Sequence, residues 1–133
     1  MKGQIVNQKP IVGLGPELAR LRDTASWSLS GLRIAWIEEK SLRQWAGANF
    51  LSATIIVVAG LPAIEAALLI ALGALTIVVE LLNSAVEATV DYVSTQRHPL
   101  AKKAKDIASG AVLVTALTWA LCWVVIGSSH VGG

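Results

Sequence analysis

Charge is scarce in this sequence. Of its 133 residues only 15% are charged while 54% are apolar, which excludes an ordinary soluble domain and describes a membrane protein. Cysteine is nearly missing: Cys122 stands alone in an apolar run, so no disulfide can form within the chain and no Cys/His cluster supports zinc. The phosphate-binding signatures of soluble enzymes are absent too. There is no G-x-x-x-x-G-K-[ST] and no glycine loop paired with H-R-D, and Gly13-Leu14-Gly15 has no strand before it. No cleavable signal peptide is visible, because the opening residues are polar and glycine-rich and the first apolar run comes too late.

What basic charge there is lies in two blocks. Lys2, Lys9, Arg20, Arg22, Arg33, Lys40 and Arg43 precede the first apolar run, and Arg97, Lys102, Lys103 and Lys105 follow the second. Residues 1–16, with Gly3, Pro10, Gly13, Gly15 and Pro16, read as an irregular or mobile tail. From Glu17 to about residue 40, Leu18, Leu21, Ala25, Leu29, Leu32 and Trp36 recur at helical spacing opposite Arg20, Arg22, Asp23 and Arg33. That pattern predicts an amphipathic helix on an anionic membrane surface, with Ser30-Gly31 as the place for a break. Three apolar spans follow, at about 44–61, 63–94 and 100–127. Gly60-Leu61-Pro62 turns the chain between the first two, since Pro62 suits a helix start and cannot continue a helix. Placing both basic blocks in the cytoplasm leaves the amino end inside and the carboxyl end outside. The expected architecture is an all-α membrane protein with three transmembrane helices and an amino-terminal surface helix.

The chemistry centres on Glu80-Leu81-Leu82-Asn83-Ser84-Ala85-Val86-Glu87-Ala88-Thr89-Val90-Asp91. At 100° per residue Glu80, Asn83, Glu87 and Asp91 fall within an arc of about 80° on one helix face. A carboxylate near lipid costs several kcal/mol unless it faces protein, water or a cation, so the stripe marks a buried or wet interior. The stripe crosses from lipid depth into water, and one small protomer offers little surface to cover it, which argues for an oligomer. Carboxylates converging at that boundary suit Mg²⁺, lysine and arginine suit a polyphosphate, and an acid at interface depth suits proton removal from a lipid hydroxyl. That set describes phosphoryl transfer from a nucleotide to a lipid.

The run from Glu80 to Ala88, followed by Asp91, His98 and Ala104-Lys105-Asp106-Ile107-Ala108-Ser109-Gly110-Ala111-Val112, resembles the signature of the prokaryotic diacylglycerol kinases. Gly31-Leu32-Arg33-Ile34-Ala35-Trp36-Ile37-Glu38-Glu39, with Arg43-Gln44 after it, is similar to that family's amino-terminal segment. The resemblance implies a homotrimer of three-span protomers in the bacterial inner membrane that uses Mg²⁺ and ATP to convert diacylglycerol to phosphatidic acid, with no nucleic-acid partner. It implies Glu80 as general base, Glu39 and Glu87 as metal carboxylates, and Asn83 beside the base. Arg20, Gln44, Lys105 and Asp106 match residues at or near the nucleotide, Asp106 either touching substrate or orienting Lys105. Trp45 stands where the best-known member has an acid, and Trp27 replaces another aromatic. Asp91 is left aside as a helix-end acid, and His98 reads as a solvated loop residue. Two other readings remain: an undecaprenol kinase, and a non-enzymatic oligomer whose acidic stripe lines an ion path.

Overall fold

The computed structural model describes residues 14–93 and 96–131, and among them it contains four helices and no strand. They are α1 (Leu14–Glu38), α2 (Lys40–Ala59), α3 (Ala63–Val93) and α4 (Pro99–Val131). Most of the expected tail, residues 1–13, lies outside the described residues, while Leu14, Gly15 and Pro16 belong to α1. The chain divides into two compact units, residues 1–34 and 35–133. In the first, α1 runs unbroken through Ser30 and Gly31, contrary to expectation. A single interior glycine costs a helix about 1 kcal/mol, which weakens it without breaking it. Leu18, Leu21, Leu29 and Leu32 all stay exposed along this helix.

The break comes instead at Glu39, whose backbone is extended (φ −93°, ψ 108°). The last turn of α1 carries no basic residue. Arg43 supplies the missing donor from the next helix, its guanidinium bonding the carbonyls of Trp36 and Ile37 at 2.7 and 2.9 Å. Unpaired carbonyls at a helix end are thereby satisfied. At the other end of α2 the expected turn is present. Gly60 takes the left-handed conformation (φ 63°), and Leu61 N–H bonds back to the Ile56 carbonyl at 3.2 Å. Pro62, which has no N–H to lose, then offers its carbonyl to Ala66 N–H at 3.0 Å as α3 begins.

α3 packs against both α2 and α4, which make little contact with each other. Its buried residues, Leu69, Gly73, Thr76 and Glu80, share one face, and Asn83, Glu87 and Asp91 continue that face within an arc of about 80°. The acidic stripe is therefore the extension of the helix's own packing seam. The tightest point on it is Gly73. A Cβ there would collide with the side-chain oxygen of Asn49 and lie 2.9 Å from Trp119 Cζ2, so α2, α3 and α4 meet only because the residue is glycine. Asn49 Nδ2 bonds the Gly73 carbonyl at 3.2 Å and the Trp45 carbonyl at 2.9 Å.

The apolar core is small. Ile56, Leu69, Trp119 and Ile126 form it, with Trp45, Leu61, Leu72 and Trp123 packed around it. Much of the apolar surface instead faces outward, Phe50, Val57, Val58 and Ile64 each being more than three-quarters exposed. α3 and the stretch Pro99–His130 of α4 are long and apolar enough to cross a membrane, with mean hydropathies of 2.2 and 2.0. Only 22% and 17% of the most apolar 18-residue window of each is buried, whereas the core helix of a soluble protein is mostly enclosed. α2 does not reach the same standard, because Lys40, Arg43, Gln44 and Asn49 occupy its first half.

Candidate active site

α2 and α4 both lean on α3 but diverge from each other, and grooves open between them. One, of about 600 Å³, is lined by Ser41, Gln44, Trp45 and Ala48 of α2, Glu80 and Asn83 of α3, and residues of α4 from Ser109 to Ala116. A second, of about 530 Å³, shares Trp45, Ala48 and Ala116 with it and continues among Leu51, Ile55, Ala120 and Trp123. Together they form a cleft that is polar at the Glu80 end and apolar at the other.

Glu80 is only 4% exposed. Burying an ionisable carboxyl demands a donor. Ser41 Oγ–H provides it, donating to Glu80 Oε1. One turn further along α3, Asn83 Nδ2 donates to Glu87 Oε1 at 3.0 Å. Asn83 Oδ1 is buried and accepts no hydrogen bond from any described residue. Glu87 is half-buried, and Glu39 is half-buried at the break between α1 and α2, where its side chain makes no capping bond.

Lys105 and Asp106 lie elsewhere. They line an open pocket of about 740 Å³ with Val90 and Asp91 of α3 and Arg97, His98 and Lys102 around the start of α4. Lys105 Nζ holds Asp91 Oδ1 at 2.6 Å, and Lys102 Nζ holds Asp106 Oδ2 at 2.5 Å. His98 Nδ1 accepts the Leu100 N–H at 3.2 Å, so this residue caps α4 and is more than a solvated loop side chain. At 1.5 Å per residue Asp91 lies about 16 Å along α3 from Glu80, with Glu87 between them.

The expected residues thus fall into one group at the groove between α2, α3 and α4, Gln44, Glu80 and Asn83, and another at the open pocket, Lys105 and Asp106, with Glu87 linked to the first through Asn83. Arg20 belongs to the first compact unit, where its guanidinium lies 3.8 Å from Glu17. Among the described residues no three His, Cys, Asp or Glu side chains converge on one point. Two residues were not foreseen in their roles. Asp91 pairs with Lys105 across 14 residues, and its helical phase with Glu80 and Glu87 was the available signal. Ser41 carries no sequence signal at all.

Helices that turn apolar side chains outward, with Lys102 and Lys105 at an open pocket and the buried Glu80 lining a separate groove, have the character of a membrane protein. Comparison with known proteins makes this specific. The family described as prokaryotic diacylglycerol kinase matches residues 26–127. The diacylglycerol kinase of Escherichia coli (strain K12) is 39% identical over 113 residues, covering 85% of this chain and 93% of that protein. That of Helicobacter pylori (strain ATCC 700392 / 26695) is 45% identical over 107 residues, 78% of this chain and 81% of that protein. That of Pseudomonas aeruginosa (PAO1) is 39% identical over 109 residues, 82% of this chain and 89% of that protein. The chain belongs to the prokaryotic diacylglycerol kinase family and is a kinase of lipid metabolism.

Proposed function

We propose that this protein transfers the terminal phosphate of ATP directly to the free hydroxyl of diacylglycerol, giving phosphatidic acid, at the cytoplasmic face of the bacterial inner membrane. The observation that carries this reading is Glu80: a buried carboxylate with one oxygen held by Ser41, set where a polar groove meets an apolar one. Glu80 accepts the hydroxyl proton as the oxygen attacks the terminal phosphorus, the bond to the bridging oxygen breaks, and ADP leaves. The apolar groove through Leu51, Ile55 and Trp123 takes an acyl chain and so fixes the depth of the hydroxyl.

Lys105 is the phosphate-neutralising group. Its pair with Asp91 is partly in water, side-chain exposures being 34% and 59%, so exchanging that carboxylate for phosphate costs little. Gln44, Asn83, Asp106 and Arg20 are assigned to the nucleotide side of the site. Hard oxygen donors suit Mg²⁺, which keeps one or two carboxylates and leaves its other positions to water and phosphate, so the lack of a three-carboxylate cluster is no obstacle. The buried, unpartnered Asn83 Oδ1 beside Glu87 is an acceptor left over for a hydrated cation. Glu39 and Glu87 are the carboxylates that would hold Mg²⁺, which when bound offsets charge on the phosphate oxygens.

In this reading α2 is the third span, its polar half at the cytoplasmic interface and its Leu51–Ala59 half in lipid. The amphipathic α1 lies on the membrane surface, and three copies assemble. The test is phosphate transfer from labelled ATP in mixed micelles, with diacylglycerol and undecaprenol offered in parallel, with Mg²⁺ and with a chelator. Magnesium-dependent labelling of diacylglycerol is expected. Labelling of undecaprenol alone would change the substrate, and labelling of neither by folded protein would leave the acidic stripe as an ion path to be tested by conductance.

A further inference from the structure

An unaided glutamate is a poor base to aim. Its side chain has three rotatable bonds, and in a half-open groove its carboxyl could turn either oxygen toward the hydroxyl or away from it. In this protein one of those oxygens is held. Ser41 sits in the first turn of α2, immediately after the break at Glu39, and its hydroxyl donates to Glu80 Oε1 across 39 positions of sequence. The second oxygen, Oε2, takes no hydrogen bond from any described residue and is not among the buried unpartnered atoms, so it keeps contact with open space in a groove that Glu80 itself lines.

We infer that Ser41 is a positioning residue for the reaction: by holding Oε1 it directs Glu80 Oε2 at the lipid hydroxyl. This rests on the reading of Glu80 as the base. A serine donor is well matched to the task, because a hydroxyl offers one proton, adds no charge to the groove and rotates to suit the carboxylate. It also ties the proton-accepting group of α3 to the start of α2, so that the Glu39 break, the Arg43 cap and the aim of the base belong to one local structure. Ser41 touches no reacting atom in this scheme, and its effect should appear in turnover rather than in binding.

The test uses the full chain in mixed micelles and compares Ser41→Ala, Ser41→Thr and Glu80→Gln. Alanine is at least as good a helix former as serine and removes only the hydroxyl. The expected result is a fall in kcat of roughly 10- to 100-fold for Ser41→Ala, the usual range for losing a hydrogen bond to a charged group. KM for lipid and for ATP should stay within about twofold, since no ground-state contact is lost. Ser41→Thr, which restores an Oγ, should regain most of the rate. The inference is overturned if Ser41→Ala turns over normally while Glu80→Gln is inactive. It is equally overturned if the loss appears in KM, or only in the melting temperature, at unchanged kcat. If Glu80→Gln itself remains active, the base assignment fails first, and that outcome is visible independently of any Ser41 variant.

Discussion

Lys105 and Asp91 form the kind of ion pair that contributes 0–1 kcal/mol to stability, because both ends reach water. In the proposed reading it holds the ammonium at the mouth of the pocket until a phosphate displaces the carboxylate. Lys105→Met should therefore leave the melting temperature within a few degrees while lowering kcat/KM for ATP by roughly 10- to 100-fold, the range for losing one charge-assisted contact to phosphate. Steady-state kinetics with ATP varied at fixed diacylglycerol checks this. The lysine was legible in the sequence through its motif. Its partner was not singled out, because an acid near a helix end has many ordinary uses and only the fold brings α4 back beside it. Ser41 was illegible for a stronger reason: a serine in the first turn of a helix is commonplace, and nothing local says that a carboxylate 39 positions later needs its proton.

Helix boundaries follow local chemistry where that chemistry is strong. Gly60 and Pro62 fix the α2–α3 turn, and Gly60→Ala should cost about 1–2 kcal/mol because an L-residue resists the left-handed conformation. Gly73 makes a sharper test of packing. Gly73→Ala forces its methyl against Asn49 and Trp119 and should cost about 1–3 kcal/mol, and Asn49→Ala in the same chain should recover part of that loss. Reversible unfolding in detergent, followed by circular dichroism, measures both and their coupling. The register of α3 was readable because its apolar, small and acidic residues keep one phase over the whole helix. The end of α1 was read from the fading of its apolar period at about residue 40, whereas the start of α2 at Lys40 rather than at about 44 was not, since neither glycine nor proline marks Glu39. There the side chain of Arg43, seven and six residues on from the Trp36 and Ile37 carbonyls it caps, completes the helix end.

For the whole molecule the deciding quantity is outward-facing apolar surface. So much exposed apolar surface, Phe50, Val57, Val58 and Ile64 among it, is unusual for a soluble protein of this size, and lipid or neighbouring copies are the media that would accept it. Three spans with the amino end inside place Leu61 outside and His98 inside. In a Cys122→Ser background, Leu61→Cys should react with a membrane-impermeant thiol reagent in intact cells and His98→Cys only after lysis. The reverse pattern would invert the orientation, and reaction of both in intact cells would remove one span. Light scattering of the protein in micelles, corrected for detergent, should give three copies per particle. Both basic blocks are visible in the sequence, and the expected orientation rests on them. The number of copies is carried only by the family resemblance, because no residue pattern counts subunits.

The most direct measurement is formation of phosphatidic acid by Glu80→Gln set against the unmodified protein, with ATP and diacylglycerol binding followed on the same samples. Glutamine keeps the shape and can still accept the Ser41 bond, but it cannot take a proton. The expected result is turnover reduced by at least 10²-fold, the lower range for losing a positioned general base, with both substrates still bound. Turnover within a few fold of the unmodified protein would contradict the account, because Glu80, the buried acid lining the groove, would then be taking no part in the chemistry.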